Sequence, residues 1–133
     1  MISCPKLIVL LAALAAVPVS GAPHAGIVPV PVGGERDGDA CGSLARPTGL
    51  KAHGDGFLSL RAGPATSYRE LLRLTARDEL FLCTSQVEWA GVVVRDRGGE
   101  DCGTGSPAPI RRNYHGPCRS GWVALRYLHV VAG

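Results

Sequence analysis

The sequence predicts an all-β domain, and three observations predict it. From Leu50 onward the apolar runs are short and are divided by Gly and polar residues, the texture of strands joined by turns. No long run keeps a 3.6-residue period, and the one helix-like stretch, Tyr68 to Leu74, is too short to stand alone as a helix. Glycine supplies 18 of the 133 residues, which further weakens any helical reading.

The first element is read as a leader. Lys6 is the only charge before an apolar run from Leu7 to Val19, which Pro18 interrupts and the small residues Ser20, Gly21 and Ala22 follow. A membrane-crossing helix needs about 20 apolar residues, and this run is shorter. The pattern fits a cleaved secretory signal over residues 1–25, cut after Gly21, Ala22 or Ala25. Cys4 precedes the apolar run instead of following it, so lipid anchoring is not expected. The expected location is periplasmic or secreted.

Removing residues 1–25 leaves about 108 residues, enough for one small domain. The charge then falls to +2, with 13 basic side chains against 11 acidic ones. That balance is too small to argue for nucleic acid or strong membrane attraction. Residues 26–49, rich in Pro, Gly and Asp, show no sustained period and are read as an extended lead-in. Candidate strands follow at Phe57–Arg61, Glu70–Thr75, Glu79–Ser85, Trp89–Arg95 and Gly121–Val123. A long loop of Gly, Pro and polar residues, roughly 98–117, precedes the last of these and is expected to be poorly restrained.

Side-chain alternation assigns faces. Leu58 and Leu60 share one face of their strand, as do Leu80 and Leu82 of theirs, and these are expected in the core with Val92. Cys83 falls on the face opposite Leu80 and Leu82, away from the interior. Trp89, Gly91 and Val93 likewise share the face opposite Ala90, Val92 and Val94.

Four cysteines remain after the leader is removed: Cys41, Cys83, Cys102 and Cys118. An even number in a small exported domain suggests two disulfides, and spacing alone leaves all three pairings open. The outward direction of Cys83 favours a partner from outside the sheet, and the lead-in carries Cys41. Cys102 and Cys118 would then close the base of the long loop. A zinc site from Cys102, His115 and Cys118 is the competing reading, but no paired Cys-x-x-Cys knuckle supports it. No metal and no cofactor is expected.

The order of these pieces resembles the bacterial SH3 (SH3b) family. The carrying residues are Leu58-Ser59-Leu60-Arg61-Ala62-Gly63-Pro64 with Tyr68, then Leu71–Leu74, Arg77-Asp78, Leu80–Cys83 and Trp89. Gly121-Trp122-Val123 and Tyr127-Leu128 close the series. The resemblance covers about residues 50–131. Ser59 stands where the family has Asn, and Arg77 where it has Gly. It implies a small SH3-like barrel of about five strands over residues 50–133, with the lead-in before it and the long loop before the last strand. In such a barrel Gly63 and Pro64 make a sharp turn, Trp122 closes one end, and Leu128 is core.

The family is one of binding modules, and the residues agree that catalysis is absent. No Gly-x-Ser-x-Gly elbow occurs, no motif organises His115 or His129 as a base, and His53 sits in a Gly-rich turn. The resemblance implies peptidoglycan, through its wall peptide or glycan, as the partner. Exposed aromatics flanked by Arg suit such a ligand. The candidates are Tyr68, Trp89 and Tyr114 with Arg61, Arg111 and Arg112. The alternative is an inhibitor or interaction module that presents the 102–118 loop to an envelope protein.

Overall fold

A computed structural model of the chain describes residues 10–16, 23–51 and 56–133. Lys6, Cys4, Pro18, the cleavage points at Gly21 and Ala22, and His53 lie outside the described residues. The fold is all-β. Its strands are β1 (Pro31–Val32), β2 (Ser43–Pro47), β3 (Leu58–Arg61), β4 (Glu70–Leu74), β5 (Leu80–Gln86), β6 (Trp89–Val94), β7 (Arg112–Asn113), β8 (Ser120–Ala124) and β9 (Leu128–Ala132). One 3-10 turn, Leu125–Tyr127, joins β8 to β9.

Seven strands form one sheet in the order β4-β3-β8-β6-β5-β2-β9, and β1 pairs with β7 as a separate ribbon. All pairs are antiparallel. The expected barrel of about five strands is therefore corrected: β4 and β9 are left as edges, and the pairing does not close. The two added strands lie on the β5 side. β2 comes from within the stretch 26–49, so that segment is not merely an extended lead-in. Its Ala45 and Pro47 face inward and are buried while Arg46 is exposed, an alternation that alanine and proline make hard to see.

The sheet buries both of its faces, and each face has its own core. On the inner face, Leu58, Leu60, Leu74, Leu80, Ala90, Val92, Val94 and Val123 form one cluster, with Leu82 and Leu128 packed against it. Residues from both halves of the sheet meet there, so the sheet curls around them. On the outer face, Val93 and Trp122 pack with Val30, Val32, Ala40, Cys41, Cys102 and Ala108. These partners come from the N-terminal segment and from the long loop, which together form a second layer.

Backbone hydrogen bonds knit that layer. Ala40 and Cys41 donate to the carbonyls of Ser106 and Thr104, Ala108 donates to Gly38, and Gly34 donates to Ala108. Tyr114 N–H donates to the Val30 carbonyl at 2.9 Å. The 98–117 loop is thus packed and paired, not the poorly restrained connection its composition suggests. Both disulfides lie in this layer: Cys41–Cys83 ties the N-terminal segment to β5, and Cys102–Cys118 closes the base of the loop. Cys102 and Cys118 are bonded to each other and so are not zinc ligands.

Two residue roles differ from expectation. Trp122 does not plug a barrel end. It is 0 % exposed, lies in the outer core, and its indole N–H donates to the Val28 carbonyl at 2.8 Å. Alternation explains this, because Trp122 is paired with Gly91, whose face is the outer one. Gly63 does not use left-handed backbone angles. A Cβ there would stand 2.5 Å from the Tyr68 ring, so the glycine is needed for close approach and not for the turn itself.

The β5–β6 hairpin turns through Val87 and Glu88, with Gln86 opposite Trp89. Val87 holds φ at 48° and is 96 % exposed. A β-branched residue in the left-handed region costs about 1–2 kcal/mol, and here no burial offsets it. Val87→Asn is expected to raise stability by about 1 kcal/mol, read as a higher urea midpoint at unchanged slope. An unchanged or lower midpoint would refute the strain.

Just before β5, Glu79 bridges Arg46 and Arg95. Hydrogen bonds from Arg46 and then Arg95 hold its carboxyl below the ordinary 4.5. Asp78, 8 % exposed, accepts from the Thr75 amide at 2.7 Å and pairs with Arg97 at 2.7 Å. Both carboxylates are therefore engaged by arginine.

Candidate functional site

The second layer does not cover the whole outer face. Directly opposed residues in a sheet share a face, and Arg61 opposes Trp122 while Trp89 opposes Ala124. β8 runs between β3 and β6, so Arg61 and Trp89 flank it from either side. Trp122 lies under the N-terminal segment. Toward Ala124 that cover ends, and a cleft of about 330 Å³ opens. Its lining combines Arg61 and Ser59 of β3, Trp89 of β6 and Ala124 of β8 with Arg126 and Tyr127 of the 3-10 turn. Gly49, Leu50, Lys51 and Phe57, which flank the stretch before β3, complete the wall with Thr66 and with Leu58 of the inner core.

Arg61 is held in place. One of its guanidinium N–H groups donates to the Tyr68 carbonyl at 3.0 Å, leaving its other donors uncommitted among the described residues. Arg126 stands over the Tyr127 ring at 4.9 Å, and Arg73 over Phe57 at 4.2 Å. Such cation–π contacts restrain both partners. Trp89 is half-buried, resting on the edge of the outer core.

The sequence candidates divide among four places. Trp89 and Arg61 meet in this cleft. Tyr68 does not line it: its ring lies on Gly63 and stacks on His24 with centroids 4.5 Å apart, and only its carbonyl serves Arg61. Tyr114 is half-buried in the second layer, donating to the Cys102 carbonyl at 2.8 Å and accepting from the Cys118 amide at 3.2 Å. Burial pushes its phenol up from the ordinary value, and the charges of Glu100 and Asp101 add to this against the Cys118 hydrogen bond. Arg111 donates to Thr84 Oγ1 at 3.2 Å and lines a hollow with Glu35, Asp37 and Asp39. Arg112 sits in β7 beside Tyr114 and His115, by a shallow hollow over the loop base.

Lys51, Phe57, Arg126 and Tyr127 are site residues that sequence reasoning missed. Tyr127 was visible as half of the Tyr127-Leu128 pair, but nothing in the spacing marks the turn that brings it beside Trp89. That turn follows β8 directly, with Leu125 N–H donating to the Glu88 carbonyl at 2.8 Å.

No family model matches the chain, and neither a curated protein nor a solved structure matches it. Among the described residues no helix is long and apolar enough to cross a membrane. Two disulfides suit an oxidising compartment outside the cytoplasm.

Proposed function

We propose that this chain is an exported, non-catalytic binding module of the bacterial cell envelope, built on an SH3-like plan, that recognises cell-wall peptide or glycan. The observation that carries the reading is the cleft in which Trp89, Tyr127 and Phe57 stand beside Arg61, Arg126 and Lys51. Aromatic rings offer rigid contact area at small entropic cost, and arginine adds directional hydrogen bonds. The curled sheet and the ordered series from Leu58 to Leu128 support the SH3-like plan. The cleft opens at the margin of both cores, with Trp89 against the outer one and Leu50, Leu58 and Tyr127 against the inner one, so a ligand there meets side chains already held by packing.

The test is co-sedimentation of the oxidised domain with purified peptidoglycan sacculi. Trp89→Ala is expected to weaken binding about tenfold or more, the range of a central aromatic contact. Its melting temperature is measured alongside, because Trp89 also rests on the outer core. Equal sedimentation of wild type and a folded Trp89→Ala variant would remove the cleft from the mechanism. Ile110, 78 % exposed on the 102–118 loop, favours the second reading, in which this loop meets a partner protein. Removing residues 105–114 cannot test that reading, since Ser106 and Ala108 hold the second layer together. Ile110→Ser is the variant that leaves the layer intact.

A further inference from the structure

Three cations line the cleft, and none of them belongs to an ion pair among the described residues. The four ion pairs among the described residues are Arg46–Glu79, Arg73–Glu70, Arg95–Glu79 and Arg97–Asp78. None of these residues lines the cleft, whose described lining holds Lys51, Arg61 and Arg126 and no acidic side chain. Glu70 is close enough for Arg61 to lower its carboxyl. Its oxygens, however, are first engaged by Arg73 and by the Ser59 hydroxyl. Cations that share one cleft repel, and an anion bound between them relieves that repulsion.

We infer that the cleft is an anion-recognition site, in which Arg61, Arg126 and Lys51 take a carboxylate of the ligand while Trp89 and Tyr127 take the apolar groups next to it. The inference rests on the wall-peptide reading and names the group on that peptide which is read. Arg61 is the fixed element, because the Tyr68 carbonyl already orients its guanidinium and the remaining N–H groups can grip both carboxylate oxygens. Arg126 and Lys51 are exposed and close over the ligand from the rim. An apolar body is required as well, since an exposed cation cluster alone binds simple anions weakly in salt.

The experiment compares sacculi carrying free carboxylates with sacculi whose carboxylates have been converted to amides, using wild type and an Arg126→Gln, Lys51→Gln double variant. Both positions lie outside the two cores, so the variant is expected to fold. Amidation is expected to weaken wild-type binding about tenfold, and the double variant is expected to lose the preference for the free form. If wild type binds both kinds of sacculi equally, the anion inference is overturned while the wall reading stands. If neither kind binds, the wall reading fails. The anion site is then judged by tryptophan fluorescence, titrating N-acetylphenylalanine against its amide. A response to the acid alone, abolished in the double variant, upholds the site. Equal responses, or equal competition by inorganic phosphate, overturn the assignment of a carboxylate on an apolar body.

Discussion

Trp122→Ala is expected to destabilise the protein by about 3–5 kcal/mol, the range for deleting a large aromatic from a packed core. The side chain is 0 % exposed and carries the hydrogen bond to Val28 that pins the start of the second layer to the sheet. Its loss opens a cavity under Val30 and leaves the Val28 carbonyl without that donor. Total stabilities of small domains are about 5–15 kcal/mol, so the variant is expected to sit near its unfolding threshold. Equilibrium urea unfolding measures the change. Amide exchange at Gly34 and Tyr114, which donate within the second layer, should accelerate further than exchange in β6. A loss below about 1 kcal/mol would show that the outer layer is an accessory cover and not a second core.

Replacing both cysteines of a bridge by serine is expected to have an effect of similar size. In the chain-entropy relation, closing 42 residues through Cys41–Cys83 is worth about 4 kcal/mol and closing 16 through Cys102–Cys118 about 3 kcal/mol. The two loops do not overlap in sequence, so each bridge restricts its own part of the unfolded chain, while their shared packing in the outer layer couples the two losses. Removing both therefore consumes most of the stability available. Because all four sulfurs belong to the outer layer, limited proteolysis of the fully reduced protein should first cut residues 28–41 and 103–114, with the inner core persisting longer. A reduced protein whose β5 and β6 are cleaved as early as those segments would contradict a layered assembly. Non-reducing peptide mapping supplies the control, with Cys41 linked to Cys83 and Cys102 to Cys118.

The strands of the inner core were legible because each carries its own period. Leu58 and Leu60, Leu80 and Leu82, and Ala90, Val92 and Val94 each alternate with residues of the other face, so their ends were placed within a residue or so. The same alternation put Cys83 on the outer face. β1, β2, β7 and β9 were not legible. Two of them are two residues long, and β2 contains Ala45 and Pro47, which read as loop. A signal was present at Val28, Val30 and Val32, which alternate with Pro29 and Pro31. Proline masked the period, although Val30 and Val32 are 2 % and 1 % exposed. Proline suits this place, since β1 is paired on one side only.

Of the candidate site, Trp89 and Arg61 were visible as an exposed aromatic and an arginine beside a turn, but their adjacency was not. They are 28 positions apart and meet because β8 pairs with both of their strands. Tyr114, Arg111 and Arg112 lie with the second layer, away from the cleft.

The sequence by itself determined the strand content of the inner core, which face each strand turns to it, and the direction in which Cys83 points. These follow from a two-residue period that each strand carries locally. Only the tertiary structure decided that the outer face is a second core, that Trp122 belongs to it, and that Lys51, Phe57, Arg126 and Tyr127 join Trp89 and Arg61 around one cleft. Those outcomes depend on which distant segments meet. Apolar burial drives such meetings without regard to direction, so no local pattern records the partner.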